Sequence, residues 1–294
     1  MRLKADLTLF IISIIWGSAF VAQRVAGQLG SVYLFNGVRY LLAGLVVLPF
    51  IRKAGRQPIS REQYRWMFLA GFLLFIAAAF QQVGIQYTTA GNAGFFTSLY
   101  VVLVPVLLVI WWKDRPHWIV VLSVILAGVG AFLLSTGGKL VFQVGDALEL
   151  VGALFWAIHV VVLGKFAFKY DPMSFSVGQL IVCGLLNLIL GLVVEEPVFT
   201  WSLAGGAIYT AVMSLGLCYT LQVWAQRHTP PSDAALILSL ESVFAVLFGW
   251  MLLGESLDGI QIIGCVLIFG AVVMSQVKEW TSGKIDHQHL IEGS

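Results

Sequence analysis

The sequence predicts an all-α integral membrane protein whose ten transmembrane helices form two inverted five-helix repeats. Three observations predict this fold: the composition, a series of ten apolar runs, and a similarity between the two halves of the chain. Of 294 residues, 59% are hydrophobic and 11% are charged, whereas soluble domains average about 45–50% and about 25%. A chain with so few charges cannot cover a water-facing surface, and its hydrophobicity excludes intrinsic disorder.

Ten apolar runs each approach the length of about 20 residues that a helix needs to cross a membrane. They are continuous rather than alternating, which favours helices over the strands of a membrane barrel. In chain order the predicted spans are Leu7–Ala26, Val32–Ile51, Trp66–Gln86, Ala93–Trp112, Trp118–Ser135, Ala147–Phe166, Ser174–Val194, Leu203–Ala225, Ala234–Leu253 and Ile260–Val277.

The basic residues are distributed unevenly across this ten-span arrangement. Of 17 Lys and Arg, Lys139 and Arg24 lie on one side, Arg39 lies within the second span, and the rest lie on the other side. Because the loops are short, the positive-inside rule applies. It predicts that both termini are cytoplasmic, in a multi-pass protein of the inner cell membrane. The residues on the cytoplasmic side are Arg2, Lys4, Arg52, Lys53, Arg56, Arg61, Arg65, Lys113, Arg115, Lys165, Lys169, Arg227, Lys278 and Lys284.

The chain resembles itself when it is shifted by 140 residues, with one residue inserted near Pro230 and Pro231. Scarce residue types recur at this offset: Asp6 with Asp146, Trp16 with Trp156, Gln82 with Gln222, and Thr89 with Thr229. The predicted divisions are a first repeat over 1–140, a second over 141–280 and a polar cytoplasmic tail over 281–294. Five spans is an odd number, so the second repeat enters the membrane from the opposite face. In transporters, such inverted repeats place a binding site near the midplane.

Several segments resemble the drug/metabolite transporter superfamily, in its EamA-type branch. They are WGSAFVAQRVA from Trp16, FNGVRYLLAG from Phe35, QYTTAGNAGFFTSLYVVLVPVL from Gln86 and ALILSLESVFAVLFGWMLLGES from Ala235. The resemblance covers about 270 residues. It implies ten helices and alternating-access movement of small metabolites, often export. Where the family often has proline after Leu-Glu, this chain has Ser242, so a proline kink is expected to be absent or milder there.

Ionisable residues within the spans are the first candidates for substrate contact, because a charge at membrane depth is costly and usually faces a cavity or a partner. Glu241, Arg39 and His159 meet this criterion. Glu241 is interpreted as a partner for a substrate ammonium or a proton, and Arg39 as a partner for a carboxylate, unless the two neutralise each other. Asp146 and Glu149 are interpreted as helix-end residues, stabilised by the helix dipole.

Uncharged polar and aromatic residues complete the candidate site. Gln82 and Gln222 occupy equivalent positions in the two repeats. Tyr219 lies three residues before Gln222, so Tyr219 and Gln222 share a helix face. The equivalent Trp16 and Trp156 are expected either to shape the pocket or to pack between helices. Weaker candidates for the same cavity are Asn36, Ser98, Tyr100 and Gln179.

These residues predict a secondary transporter for small polar metabolites. Amino acids or related compounds are the favoured substrates, and export is the favoured direction. A multidrug exporter of lipophilic cations and an amine or nucleoside carrier remain as alternatives. The absence of metal-ligand spacings and phosphate loops predicts that it is not an enzyme, and no cofactor is expected. The predicted partners are a small-molecule substrate, the lipid bilayer and coupled protons. Nucleic acid is not expected, and the chain is predicted to be a monomer or homodimer.

Overall fold

A computed structural model of the chain describes residues 1–29, 31–51, 59–114, 116–136, 143–256 and 258–292. Every regular element among these residues is a helix, which confirms the predicted all-α class. Five basic residues of the charge analysis, Arg52, Lys53, Arg56, Arg115 and Lys139, lie outside the described residues.

Thirteen α-helices are described. They are α1 (Arg2–Gln28), α2 (Tyr33–Ile51), α3 (Arg61–Gly84), α4 (Ala90–Ser98), α5 (Tyr100–Trp112), α6 (Trp118–Thr136), α7 (Val144–Phe166), α8 (Pro172–Val194), α9 (Trp201–Tyr209), α10 (Cys218–Ala225), α11 (Pro231–Leu238), α12 (Glu241–Leu253) and α13 (Gly259–Glu292). Short 3₁₀ turns follow α3 at Ile85–Tyr87 and α7 at Ala167–Lys169.

These helices account for the ten predicted spans. Eight helical segments are long and apolar enough to cross a membrane, and two shorter apolar helices, Trp118–Leu134 and Gly259–Ser275, take the fifth and tenth places. The fourth span consists of α4 and α5, the eighth of α9 and α10 with a π-helix between them, and the ninth of α11 and α12. The helix of the tenth span, α13, continues to Glu292, through most of the segment that was predicted as a tail.

Polar side chains mark where several of these helices begin. Ser60 accepts a hydrogen bond from the backbone of Gln63 before α3, and Asp171 does the same with Ser174 before α8. Thr200 caps α9 in the same way. A capping side chain satisfies a backbone N–H that the helix itself leaves free. Residues next to the helix starts therefore help to determine where these spans begin.

The fourth and ninth spans are both interrupted at equivalent positions. In the fourth span the hydroxyl of Ser98 donates to the carbonyl of Phe95 at 2.8 Å, and in the ninth Ser239 donates to Leu236 at 2.7 Å. Such bonds from serine to the preceding turn bend helices. The ninth span is thus interrupted although it has Ser242 rather than proline, so the break does not depend on a proline ring.

The eighth span contains a π-helix over Thr210–Leu217. A π-helix is rare, and its looser turn rotates the residues that follow relative to a regular α-helix. The equivalent third span is a regular α-helix from Arg61 to Gly84. The two repeats therefore differ in the helix that carries Gln222.

The halves pack as an inverted repeat, through pairs of equivalent helices. α2 packs against α8 (spans two and seven), and α6 packs against α13 (spans five and ten). Other contacts are reciprocal: α1 packs against α11 and α12 of the other half, as α7 packs against the equivalent α4 and α5. The first helix of each half thus rests on the interrupted helix of the other half.

One end of the bundle gathers the amino terminus and several of the charged connections that were predicted to share a face. Lys169 pairs with Glu62 at 2.6 Å, and Lys165 pairs with Asp114 at 2.8 Å. At the same end Arg2 bonds to Asp233 at 2.7 Å. These contacts join the amino terminus and the connections that follow the second, fourth, sixth and eighth spans. A chain that crosses the membrane ten times brings these segments to the same side.

The opposite end is joined by acidic side chains and a single arginine. Both oxygens of Glu195 accept backbone N–H groups at the start of α2, and Glu255 accepts the N–H of Ala90 at the start of α4. Arg24 donates to the carbonyl of Ile85 at the end of α3. Carboxylates at helix starts and cations at helix ends both complement the helix dipole. This end therefore needs few basic residues.

The contact between α2 and α8 depends on glycines that recur at the repeat offset. A Cβ atom on Gly184 would lie 2.8 Å from the backbone nitrogen of Leu41, whereas a Cβ on Gly205 would meet no atom within 4 Å. We expect Gly184→Ala to destabilise the protein by about 1–3 kcal/mol through overpacking. Gly205→Ala, the matched control, is expected to be neutral or mildly stabilising. The apparent melting temperatures of both variants in one detergent test this, and equal values would contradict the close packing.

Candidate substrate cavity

A narrow cavity lies between the two halves. It has about 40 Å³ of space for the centres of water-sized molecules, where one water needs about 10–15 Å³ on this measure. Seven of the twelve sequence-predicted site residues line it: Trp16, Arg39, Tyr100, Trp156, Tyr219, Gln222 and Glu241. The cavity therefore combines a carboxylate, a guanidinium, an amide and several aromatic rings.

Glu241 is the first residue of α12, at the break in the ninth span. A helix start carries partial positive charge, which favours a carboxylate there. The side chain is 3% exposed, and its Oε1 has no hydrogen-bond partner among the described residues. Tyr100, the first residue of α5 and its repeat equivalent, also lines the cavity and lies near the Glu241 side chain. Glu241 thus presents an oxygen that the protein leaves without a partner.

Arg39 is held in place by uncharged groups. Its Nε donates to Asn36 at 3.0 Å, and one terminal nitrogen donates to Gln23 at 2.9 Å. The guanidinium also lies 5.2 Å from the ring centroids of Phe35 and Tyr40. Within the part of the chain that the structure describes, no carboxylate lies within ion-pair distance of it. The alternative that Arg39 and Glu241 neutralise each other is therefore not realised in this conformation.

Aromatic rings form one wall of the cavity. Trp156 stacks on Tyr219 with centroids 6.4 Å apart, and Trp16 lies 5.3 Å from the same ring. Trp16 donates its N–H to the carbonyl of Ser214 in the π-helix at 2.8 Å. The N–H of Trp156 is buried without a partner among the described residues. The equivalent tryptophans therefore differ, since Trp156 alone has a donor to offer.

The two glutamines that the repeat pairs are placed differently. Gln222 lines the cavity with an Oε1 that has no partner among the described residues. Gln82 does not line it: this residue is fully buried behind the wall and donates to the backbone carbonyl of Gln23 at 2.9 Å. Gln81, its neighbour, lines the cavity instead. A one-residue step turns a helical side chain by about 100°, so adjacent glutamines face different ways.

Four further predicted residues lie outside the lining of the cavity. Asn36 supports Arg39 and donates to the carbonyl of Ala78 at 3.1 Å. Ser98 is committed to the break in the fourth span. His159 and Gln179 bond to each other at 3.0 Å, which joins α7 to α8. These contacts position helices or Arg39.

Sequence reasoning missed several polar residues that line the cavity, namely Gln23, Tyr40, Gln81, Thr97 and Ser214. Gln23 lies seven residues after Trp16 on α1, two helical turns along the same face. That spacing is a signal that the sequence offered. Nothing in the sequence marks Ser214, because its position depends on the π-helix.

The two acidic residues near the start of α7 have different environments. Asp146 closes a capping box with Gln143 and accepts a hydrogen bond from Thr88 at 2.9 Å. Glu149 is fully buried, and its Oε2 accepts a hydrogen bond from Thr97 of α4 at 3.0 Å. Asp146 therefore acts at a helix end as expected, whereas Glu149 reaches the contact between the two halves.

No group of three His, Cys, Asp or Glu side chains that would hold a metal ion occurs among the residues with described side chains. The polar groups of the cavity are instead those that bind organic ions: a carboxylate, a guanidinium, amides and indole or phenol rings.

Two inverted five-span halves around a polar cavity are typical of membrane transport proteins. The sequence profile of the EamA-like transporter family matches residues 3–136 and again 143–276. The chain belongs to this family, as its motifs indicated. An uncharacterised transporter of Archaeoglobus fulgidus is 35% identical over 282 residues, which cover 94% of this chain and 87% of the relative.

More distant relatives carry other information. The threonine/homoserine exporter RhtA of Salmonella typhimurium is 30% identical over 151 residues, about half of each chain. The uncharacterised inner membrane transporter YedA of Escherichia coli is 26% identical over 90% of this chain and 88% of the relative. A solved crystal structure shares the fold with a TM-score of 0.77, covering 94% of this chain and 99% of that chain at 16% identity.

The adjacent glutamines of α3 test the position of the cavity. In a protein whose native cysteines, Cys183, Cys218 and Cys265, are replaced, Gln81→Cys is expected to react with a small cationic methanethiosulfonate. Gln82→Cys, the matched control, is expected to be unreactive because the residue is buried away from the cavity. Rates of modification, followed by mass spectrometry in lipid vesicles, measure the difference. Equal rates, or faster reaction at 82, would contradict this cavity.

Proposed function

We propose that the protein is a secondary transporter that moves small amino acids or related zwitterions across the inner cell membrane by alternating access, in the direction of export. The observation that carries the proposal is the presence of both Glu241 and Arg39 in the lining of one cavity, each without an opposite charge within ion-pair distance among the described residues. A zwitterion supplies both missing charges: its ammonium group for Glu241 and its carboxylate for Arg39. The partial similarity to a threonine/homoserine exporter supports the same substrate class.

Each half of this assignment has a physical basis. A guanidinium offers five N–H donors and binds carboxylates in a bidentate manner, and Asn36 and Gln23 together take two of these donors. An ammonium group beside Glu241 also meets the aromatic wall, where cation–π attraction adds to the ionic contact. Burial of an unpaired charge is costly, so a ligand that neutralises both groups gains affinity from both.

The narrow cavity fits a cycle in which the halves separate to admit substrate. Space for a few waters is too small for an amino acid, so binding requires the helices around the cavity to move. The interrupted fourth and ninth spans offer equivalent points of bending, at Ser98 and Ser239. Each is held by the first helix of the opposite half, which couples bending in one half to the other.

A carrier of organic amines or lipophilic cations is the second candidate. The aromatic wall of Trp16, Trp156 and Tyr219, with Glu241 in the same cavity lining, favours cations of several kinds. Such a carrier has no need of Arg39. The two candidates therefore differ in the role of the guanidinium.

Matched substitutions separate these candidates. In proteoliposome counterflow with L-threonine, Glu241→Gln and Arg39→Gln are each expected to reduce transport by about 10–100-fold, because each leaves one substrate charge buried and unpaired (about 1.4–2.8 kcal/mol). Competition by propylamine, which lacks a carboxylate, is expected to be abolished by Glu241→Gln alone. The exposed Glu196→Gln and Arg65→Gln serve as controls for charge removal.

The outcomes divide clearly. Loss of L-threonine transport in both cavity variants, with normal transport in both controls, supports a zwitterion carrier. Two results would favour the amine carrier over the zwitterion carrier. One is normal L-threonine transport by Arg39→Gln, and the other is transport of propylamine itself by the wild-type protein. Wild-type vesicles that exchange no amino acid would reject the proposed substrate class.

The proposed orientation places both termini in the cytoplasm. Fluorescent protein fused after Ser294 is expected to fluoresce, and alkaline phosphatase inserted after Glu196 is expected to be active, since it matures only outside the cytoplasm. Phosphatase inserted after Lys113 is the control and is expected to be inactive. The reverse pattern would place the basic loops outside the cell, against the positive-inside rule.

A further inference from the structure

A second buried carboxylate, that of Glu149, does not line the cavity but is hydrogen-bonded to a residue that does. Glu149 of α7 is fully buried, and its Oε2 accepts the hydroxyl of Thr97 at 3.0 Å. Its Oε1 is buried with no hydrogen-bond partner among the described residues. The carboxylate is thus half satisfied, inside the contact between the two halves.

A short chain of hydrogen bonds joins Glu149 to the cavity. Gln81 of α3 donates its amide to the Thr97 hydroxyl at 3.0 Å, and Thr97 in turn donates to Glu149. Gln81 and Thr97 both line the cavity. Because a hydroxyl donates and accepts at once, Thr97 bridges the polar cavity and the buried carboxylate.

The surroundings of Glu149 contain other acids and, among the described residues, no cation within ion-pair distance. The charged groups that act on it are Asp146 on its own helix and Glu241 on α12. From the other packed elements, α4 contributes Thr97 and α3 contributes Gln81 together with Gly84. An unpaired carboxylate in such a place is strongly disfavoured as an anion, and neighbouring carboxylates add repulsion.

We propose that Glu149 is a proton-binding site of the transport cycle, whose proton is exchanged for the positive charge of the substrate. With Glu241 unoccupied, Glu149 carries a proton. When an ammonium group binds beside Glu241, the added positive charge stabilises the Glu149 carboxylate. For the proton to leave, the Thr97 hydroxyl turns so that it accepts the Glu149 proton and gives its own proton to water in the cavity; the reverse transfer returns the proton after the substrate departs. This step rests on the proposed function for its exchange partner.

Transport measurements test the exchange. In proteoliposomes, L-threonine accumulation driven by a pH gradient is expected to fall by about tenfold in Glu149→Gln, within the usual range of coupling between linked sites. Counterflow of L-threonine at equal pH is expected to persist, because the neutral amide resembles the protonated carboxyl group. Thr97→Val, which removes the bridging hydroxyl, is expected to reduce gradient-driven accumulation, whereas Thr97→Ser restores it. Gradient-driven accumulation at the wild-type level in Glu149→Gln would overturn the proposal.

A spectroscopic measurement tests the proton without any substrate. Infrared difference spectra between acidic and alkaline pH, recorded on purified protein in lipid, are expected to show the C=O band of a buried protonated carboxyl group. Glu149→Gln should remove that band, while Glu196→Gln, at an exposed position, should leave it. An unchanged band in Glu149→Gln would refute proton binding there. If the wild-type protein transports no amino acid but the band still disappears in Glu149→Gln, the proposed substrate class is wrong and the proton-binding site is supported.

Discussion

An ionisable side chain within a lipid bilayer needs water, an opposite charge or hydrogen-bond partners, and the placement of such groups in this protein follows from that requirement. Glu241, Arg39 and Glu149 are all buried at membrane depth, and none pairs with an opposite charge among the described residues. Each instead lies where the two halves meet, held by a helix start, by amides or by a hydroxyl. The interface between the halves therefore carries the polar chemistry, while the faces towards lipid remain apolar.

The same interface is built twice, in opposite senses. Asp6 at the start of the first helix accepts a hydrogen bond from Thr229 of the second half at 2.8 Å, and Asp146 accepts one from Thr88 of the first half. Each half thus fastens the leading helix of the other at one end of the bundle. Since the two contacts lie at opposite ends, the arrangement is suited to opening at one end while the other stays closed.

Much of this could be predicted from the sequence, because the signals were strong and local. Apolar length gave ten spans, and scarce aspartate and tryptophan residues revealed the repeat. Ionisable and aromatic residues in the spans indicated much of the cavity lining. Angular position was harder to predict: Gln81 rather than Gln82 faces the cavity, and the π-helix changes the register before Gln222. Glu149 was interpreted as a helix-end residue from its place near the start of a span. Its partner Thr97 is 52 positions away, and local patterns do not report contacts over such a separation.

The π-helix of the eighth span also has a kinetic consequence. In the proposed alternating-access cycle, an exact inverted duplication would relate the inward-facing and outward-facing forms by a two-fold rotation, with equal affinities and equal rates of interconversion. The π-helix at Thr210–Leu217 has no counterpart in the third span, so in that cycle the two forms would not be energetically equivalent. Such asymmetry cannot by itself set the net direction of flux, which the gradients determine. It does allow the Michaelis constants measured from the two sides of the membrane to differ.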